Sequence, residues 1–146
     1  MNDVLVVMIL FIMGAQFGIA LTATVIVHPI LVMAKKATAI EIFKPFFDKT
    51  HIWVLVSSII VTVLALAYSI FTGNLWWFGV SLLMHLNGPY TIIFMMPLNR
   101  RLMDKNVDPL SEQTANDIKK WGRLHLVRTL LNGTILFAFI VLAVYM

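Results

Sequence analysis

Four side chains of different chemistry recur at helical spacing in the stretch WGRLHLVRTLLN: Trp121, His125, Arg128 and Asn132. On an α-helix they lie along one face, because steps of three and four residues return to the same side. An imidazole is a candidate general base, a guanidinium stabilises an anion and an indole stacks on a flat ring. The stripe runs into an apolar segment, where ionisable groups are costly and usually face the interior of a helix bundle. It is therefore the first candidate for a functional site.

The composition places the chain among membrane proteins. Of its 146 residues, 60% are hydrophobic and only 12% are charged, about half the charged share of an average soluble domain. Cysteine is absent, which excludes a disulfide framework and a thiolate nucleophile. The formal net charge of +4 is better explained by lysines and arginines that flank membrane spans than by a nucleic-acid partner. The acidic MNDV start and the long apolar run after it predict no cleavable signal.

Four apolar segments predict an all-α fold, an integral membrane four-helix bundle that forms a single domain over residues 1–146. The segments cover about residues 4–33, 52–71, 75–98 and 121–145. Each is long enough to cross ~30 Å of hydrocarbon at ~1.5 Å per residue.

The basic residues predict how the bundle is oriented. They lie in the connections before the second and fourth spans: Lys35, Lys36, Lys44, Lys49, Arg100, Arg101, Lys105, Lys119, Lys120 and Arg123. The connection at 72–74 carries no charge. By the positive-inside rule, both long loops are cytoplasmic and both termini are outside. The predicted location is the cytoplasmic (inner) membrane.

Local signals refine these elements. The first basic connection mixes lysines with phenylalanines, which predicts a short interfacial segment. Asp108-Pro109 predicts a helix that begins near Pro109 and runs on into the fourth span. The pair Gly14-x-x-x-Gly18 predicts close packing of the first helix on a neighbour.

Polar side chains occur at matching depths on all four spans. Those in the cytoplasmic third are His28, His51, Asn99, His125 and Arg128, whereas His85 and Asn132 lie deeper. Pro89 predicts a kink, because it cannot donate to the carbonyl of His85. We expect these side chains to surround a polar chamber that opens toward the cytoplasm.

Purely structural explanations compete with this interpretation. His51 abuts a charged loop and suits the membrane interface, and Arg128 lies close enough to the headgroups to snorkel. A functional role is favoured for Arg128 because a buried cation needs a partner and the fourth span contains no acid. The absence of an acidic residue also argues against a proton- or sodium-coupled transporter. It favours an anionic or enolisable ligand, or a haem propionate.

Three stretches and one dipeptide stand out as motifs. They are Gly88-Pro89-Tyr90-Thr91, Met96-Pro97-Leu98-Asn99-Arg100-Arg101-Leu102, Trp121-Gly122-Arg123-Leu124-His125-Leu126-Val127-Arg128 and His28-Pro29. In order and spacing, over essentially the whole chain, they resemble the anthrone oxygenase-like family of small four-span membrane proteins. The family is named for fungal enzymes that oxidise anthrones to anthraquinones with dioxygen.

The resemblance implies a membrane monooxygenase that requires no cofactor. Its motif positions in this sequence are His28, Asn99, Trp121, His125 and Arg128, and all but Trp121 form the predicted catalytic set. In the implied mechanism His125 is the general base, and Arg128 with Asn99 stabilises the developing oxyanion. The predicted substrate-binding side chains are Trp121, Tyr90, Thr91, Asn132 and His85.

Two other functions stay open. One is a haem- or metal-binding redox protein, in which His28, His51 and His125 supply the ligands and Arg128 lies near a propionate. The other is a non-enzymatic subunit that binds lipid or quinone, or scaffolds a partner. The expected partners are the lipid bilayer and a small hydrophobic or aromatic molecule, with dioxygen for the oxygenase. Homo-oligomerisation and the identity of the substrate stay open.

Overall fold

The computed structural model describes residues 2–146, with side chains from Asp3 onward, and over this range the chain forms four long helices and no strand. The first, α1, consists of Asn2–Thr22, a π-helical segment Ala23–Val27 and a final α-helical segment His28–Met33. The π segment closes when the N–H of His28 donates to the carbonyl of Ala23. Pro29 follows at once and has no N–H to offer an α-helical turn, so the wider turn accommodates it.

The second helix, α2, is a single α-helix of 37 residues, Lys36–Thr72. The interfacial segment that we expected before residue 52 is therefore the first part of this helix, and Pro45 lies inside it. The apolar criterion missed this part because its lysines and acids lower its hydropathy without lowering its helix propensity. The helix ends at Gly73, whose φ of 72° is the left-handed conformation that glycine adopts without strain.

The third helix, α3, is the least regular. It consists of Trp76–Leu83, a 3-10 segment Met84–Leu86, the short turn Asn87–Tyr90, a π-helical segment Thr91–Met95 and a last segment Met96–Met103. The 3-10 segment directly precedes the turn that holds Pro89, in agreement with the predicted irregularity at this depth. The π segment directly precedes Met96-Pro97, which repeats the arrangement at the end of α1.

The fourth helix, α4, covers Glu112–Tyr145 in 34 residues. It begins at Glu112 and not near Pro109 as expected, because Ser111 is the N-cap and its hydroxyl accepts from the N–H of Thr114 at 3.1 Å. Asp108 instead forms a preceding turn, in which its carboxylate accepts from the N–H of Leu110 at 2.9 Å. As predicted, the helix then runs without a break into the fourth apolar segment.

The helices form a closed ring in which α1 packs on α2 and α4, and α3 packs between α2 and α4. We call the end where residues 34–35 and 104–111 connect the helices the loop end. An apolar cluster at the loop end includes Leu31, Phe43, Leu98, Ile118 and Trp121. A second cluster, the distal cluster, includes Met13, Val61, Trp77, Ile135 and Phe139.

A polar layer lies between the two apolar clusters. Gln16 of α1 donates to the hydroxyl of Ser58 at 3.2 Å and accepts from that of Ser57 at 3.1 Å. Across the bundle, Asn87 of α3 donates to Asn132 of α4 at 2.9 Å. Because each hydrogen bond joins different helices, the layer fixes how the helices are rotated against one another.

Large apolar side chains cover the outside of the bundle, among them Phe11, Ile70, Ile92 and Phe137. All four helices are long and apolar enough to cross a membrane, so these side chains meet lipid. The chain is an integral membrane protein with an all-α fold, as predicted.

Candidate functional site

Three residues of the predicted stripe line one cavity near the loop end. Trp121, His125 and Arg128 of α4 form one wall of it. The opposite walls come from α1, through Ile19 and Ala23, and from α2, through Phe46, Phe47, Thr50, His51 and Val54. The helical spacing of the stripe thus brings an indole, an imidazole and a guanidinium to one space.

This cavity is small in the structure. Its volume is about 30 Å³, which is the share of one water molecule in the liquid. A flat aromatic molecule therefore requires side chains to move apart. The wall nearest the surface is formed by Phe46, Phe47 and His51 of α2, which are partly or fully exposed.

Trp121 is the aromatic centre of the loop end. It is 2% exposed, and its ring meets Phe43 edge-on with centroids 5.4 Å apart. The rings of His125 and His28 lie 4.8 Å and 6.4 Å from it, centroid to centroid. The two histidines that were candidates for catalysis or for metal ligation thus both contact one indole.

His125 is held by hydroxyl groups and not by a carboxylate. The side chain is 8% exposed, and its Nδ1 lies 3.1 Å from the hydroxyl of Thr24 on α1. That hydroxyl lies 2.7 Å from the hydroxyl of Thr129 on α4. Neither threonine belonged to the predicted site, because a threonine in an apolar helix gives no functional signal by itself.

Arg128 lies beside the cavity without an acidic partner. Within residues 2–146 the structure contains one carboxylate ion pair, between Arg101 and Asp117, and Arg128 takes no part in it. Its Nη1 contacts the sulfur of Met95 at 3.9 Å, and its buried Nε makes no hydrogen bond within the protein. A half-buried guanidinium with free donors is suited to an anionic or developing anionic oxygen.

The His28 imidazole lies against the backbone of α4 at Gly122. A Cβ atom at position 122 would overlap that ring, so any larger residue there would force the His28 side chain to move. The buried Nε2 atom of His28 makes no hydrogen bond of ordinary geometry with the part of the chain that the structure describes. Sequence reasoning missed this contact and expected close packing at Gly14 and Gly18 instead. That expectation was wrong, because a Cβ at either position meets nothing within 4 Å.

Asn99 is also buried at the loop end, on the last segment of α3. It is 2% exposed, and neither its Nδ2 nor its Oδ1 has a hydrogen-bond partner in the protein. Its neighbours in sequence, Leu98 and Leu102, belong to the loop-end cluster. Asn99 does not line the cavity of Trp121, His125 and Arg128.

The remaining predicted substrate-binding residues lie outside the cavity. Tyr90 donates its hydroxyl to the carbonyl of Leu124 at 2.9 Å and joins α3 to α4, and Thr91 begins the adjacent π segment. Asn132 belongs to the polar layer. His85 is exposed on the outer surface, where its Nε2 lies 3.0 Å from the hydroxyl of Thr62.

Further polar contacts stabilise the loop end, and these contacts were not predicted from the sequence. Arg101 of α3 makes a two-pronged ion pair with Asp117 of α4, with N···O distances of 2.7 Å and 2.8 Å. Gln113 donates to the same carboxylate at 2.9 Å. Lys36 donates to the carbonyl of Leu110 at 2.8 Å and so ties the start of α2 to the long loop.

The three candidate metal-ligating histidines are not gathered at one point. Among residues 2–146 no three His, Asp or Glu side chains form a group that could hold a metal ion. His51 stacks on Phe47 with centroids 5.2 Å apart, and its Nδ1 donates to the carbonyl of Phe47 at 2.9 Å. His28 and His125 lie on the other side of this wall, against Trp121.

The fold and the site define an integral membrane four-helix protein with a buried imidazole and a half-buried guanidinium beside one cavity. Residues 43–141 match the family model described as anthrone oxygenase. This range covers more than half of the chain, which therefore belongs to the anthrone oxygenase family. The matched range includes Trp121, His125 and Arg128 and begins after Thr24 and His28. No curated protein and no solved structure matches the chain.

Proposed function

We propose that the protein is a membrane oxygenase that uses dioxygen to oxidise a flat, enolisable aromatic molecule at the cavity of Trp121, His125 and Arg128. The observation that carries the proposal is the meeting of a buried imidazole and an unpaired guanidinium at that cavity. Membership of the anthrone oxygenase family supports the reaction class. The apolar walls suit a substrate that dissolves in the bilayer.

The first step is removal of a proton from a methylene group that is activated by an adjoining ring system. His125 accepts this proton through Nε2, because Nδ1 is occupied by Thr24. The resulting carbanion is delocalised onto a ring oxygen as an extended phenolate. Arg128 stabilises that oxygen, and Trp121 stacks on the flat ring.

The second step needs no reductant, because the substrate supplies all the electrons. The carbanion gives one electron to dioxygen, the two radicals combine into a peroxide anion at the same carbon, and this anion takes back the proton from His125. Loss of water from the peroxide leaves a carbonyl group. A methylene group and dioxygen thus become a carbonyl group and water, in balance.

We place the loop end in the cytoplasm. All lysines and arginines except Arg128, ten residues, belong to the segments around the two loops at this end, and the positive-inside rule puts such segments on the cytoplasmic side. The cavity then lies in the cytoplasmic half of the bundle, and both termini lie outside. Substrate and dioxygen both partition into the bilayer and reach the cavity from there.

The proposal is tested by measuring dioxygen uptake and carbonyl formation with anthrone as the probe, using purified protein in lipid nanodiscs. His125→Ala is expected to lower kcat by about 100-fold, the size of a general-base contribution. Arg128→Met is expected to lower it by a similar factor, because an oxyanion contact of this kind is typically worth about 100-fold. Arg123→Met, an exposed position on the same helix, is the matched control and should leave the rate unchanged. Full activity of both site variants would refute the assignment.

A further inference from the structure

A chain of hydrogen bonds crosses from α4 to α1 and back behind His125. The imidazole Nδ1 contacts the Thr24 hydroxyl at 3.1 Å, and that hydroxyl contacts the Thr129 hydroxyl at 2.7 Å. The Thr129 oxygen in turn lies 3.0 Å from the carbonyl of Ala20, 3.1 Å from the carbonyl of His125 and 3.5 Å from the His125 Nδ1, so Thr24 is the nearer of two hydroxyls at that nitrogen. This chain of hydrogen bonds contains no charged group and ends on backbone oxygen atoms.

Counting protons gives this chain a direction. A carbonyl oxygen only accepts, so the single hydroxyl proton of Thr129 must point to the carbonyls of Ala20 and His125. The contact between Thr129 and Thr24 still needs a proton, and Thr24 must supply it. Thr24 then has no proton left for the imidazole, so Nδ1 of His125 must be the donor. In the reverse direction the Thr129 oxygen would face two carbonyl oxygens with no proton between them, which is repulsive.

We propose that Thr24 and Thr129 are positioning residues that fix His125 as the neutral tautomer with its proton on Nδ1 and its lone pair on Nε2. Which ring nitrogen of a histidine carries the proton is set by the hydrogen bond that the other nitrogen makes. Nε2 makes no hydrogen bond within the protein, and the ring lines the cavity. The lone pair is thereby presented to a bound molecule. The consequence for rate rests on the proposed function, whereas the tautomer itself does not.

The irregular part of α1 places Thr24 for this task. Thr24 lies in the π-helical segment Ala23–Val27, which ends directly before His28-Pro29. A π turn adds a residue to the helical repeat and so rotates the following side chains relative to a regular helix. Thr24 and His28 both reach α4 from this short region, toward His125 and Gly122.

The tautomer is measured directly by nitrogen-15 NMR of protein labelled at histidine and held in nanodiscs. The chain has four histidines, and the His125 signals are assigned by their loss in His125→Asn. We expect a protonated Nδ1 and an unprotonated Nε2 in the wild type. Thr24→Val removes the acceptor without changing the size of the side chain and should move the proton to Nε2 in a large fraction of molecules.

The control for the NMR experiment is Thr134→Val. Thr134 is exposed on α4 and its hydroxyl bonds only the carbonyl of Leu130 in its own helix, at 3.0 Å. This variant should leave the His125 signals unchanged. Thr24→Ser keeps the hydroxyl and should retain the wild-type tautomer. A wild-type protein with its proton on Nε2, or a Thr24→Val protein with unchanged His125 signals, would overturn the proposal.

Activity separates a positioning role from a merely structural one. With anthrone as the probe, Thr24→Val and Thr129→Val should lower kcat by about 10- to 100-fold, within the range for general-base catalysis. KM should change little, and the serine variants should recover most of the rate. Valine variants with wild-type kcat would contradict the positioning role. The proposed function can fail without the tautomer proposal failing. An inactive wild type, or an active His125→Ala protein, would contradict the proposed function but would not change the NMR result.

Discussion

At the scale of single residues, the site depends on a glycine that carries no chemistry. Gly122 gives the His28 imidazole its place against α4, and a Cβ there would overlap the ring. We expect Gly122→Ala to lower the free energy of unfolding by about 1–3 kcal/mol, the usual cost of overpacking a close contact. Thermal unfolding in detergent, followed by circular dichroism, measures the loss.

Two further variants make this prediction specific. Gly14→Ala places the same methyl group in another helix where nothing lies within 4 Å, so it should not destabilise the protein, because alanine is the better helix former. Gly122→Ala combined with His28→Ala removes the clashing ring and should recover part of the stability. No recovery in the double variant would show that His28 is not the cause.

The ion pair between Arg101 and Asp117 joins α3 to α4 at the loop end. The Asp117 side chain is 5% exposed and that of Arg101 is 49% exposed, so the carboxylate is nearly buried while the guanidinium reaches water. Removing the guanidinium leaves a buried carboxylate with Gln113 alone. We expect Arg101→Met to cost about 1.5–2 kcal/mol, the lower part of the range for a hydrogen bond to a charged group. Urea unfolding measures the cost, and Arg100→Met, exposed on the same helix, should cost much less.

At the scale of helices, each boundary follows from a local cause that can be removed. The start of α4 depends on Ser111, whose hydroxyl accepts from the N–H of Thr114. Ser111→Ala should lower the free energy of unfolding by about 0.5–2 kcal/mol, the usual cost of losing an N-cap. Ser111→Asp keeps an acceptor at that position and should retain the stability. Equal losses of unfolding free energy in both variants would mean that the N-cap hydrogen bond does not stabilise the start of α4.

The same helices show what could be predicted from the sequence and what could not. Four apolar segments with their turns are enough to predict the spans, and the helical spacing of Trp121, His125 and Arg128 predicts that they meet. The start of α2 was not predicted, because its lysines lower the hydropathy of a helix that continues beyond the apolar region. The rotation of α3 about its own axis was not predicted either. His85 was expected inside the bundle and lies outside, since rotation is set by contacts such as the one between Asn87 and Asn132.

Thr24 and Gly122 show a second limit. Both are common residue types in membrane helices, and their importance comes from the partner that lies opposite. The partner is on another helix, about 100 residues away for Thr24 and His125. A pattern within one helix contains no information on such a pair, so only the assembled bundle reveals it.

At the scale of the whole molecule, the function of the cavity depends on which side of the membrane the loop end faces. The absence of cysteine allows a direct test with single cysteines. Asn74 lies between α2 and α3 and is half-buried, whereas Asn106 lies in the loop between α3 and α4 and is exposed. With the loop end in the cytoplasm, a membrane-impermeant maleimide should label Asn74→Cys in intact cells and Asn106→Cys only after the membrane is opened. The reverse labelling pattern would show that the loop end lies outside the cell. The cavity would then lie in the outer half of the membrane, and a substrate made in the cytoplasm would have to cross the bilayer before it met His125.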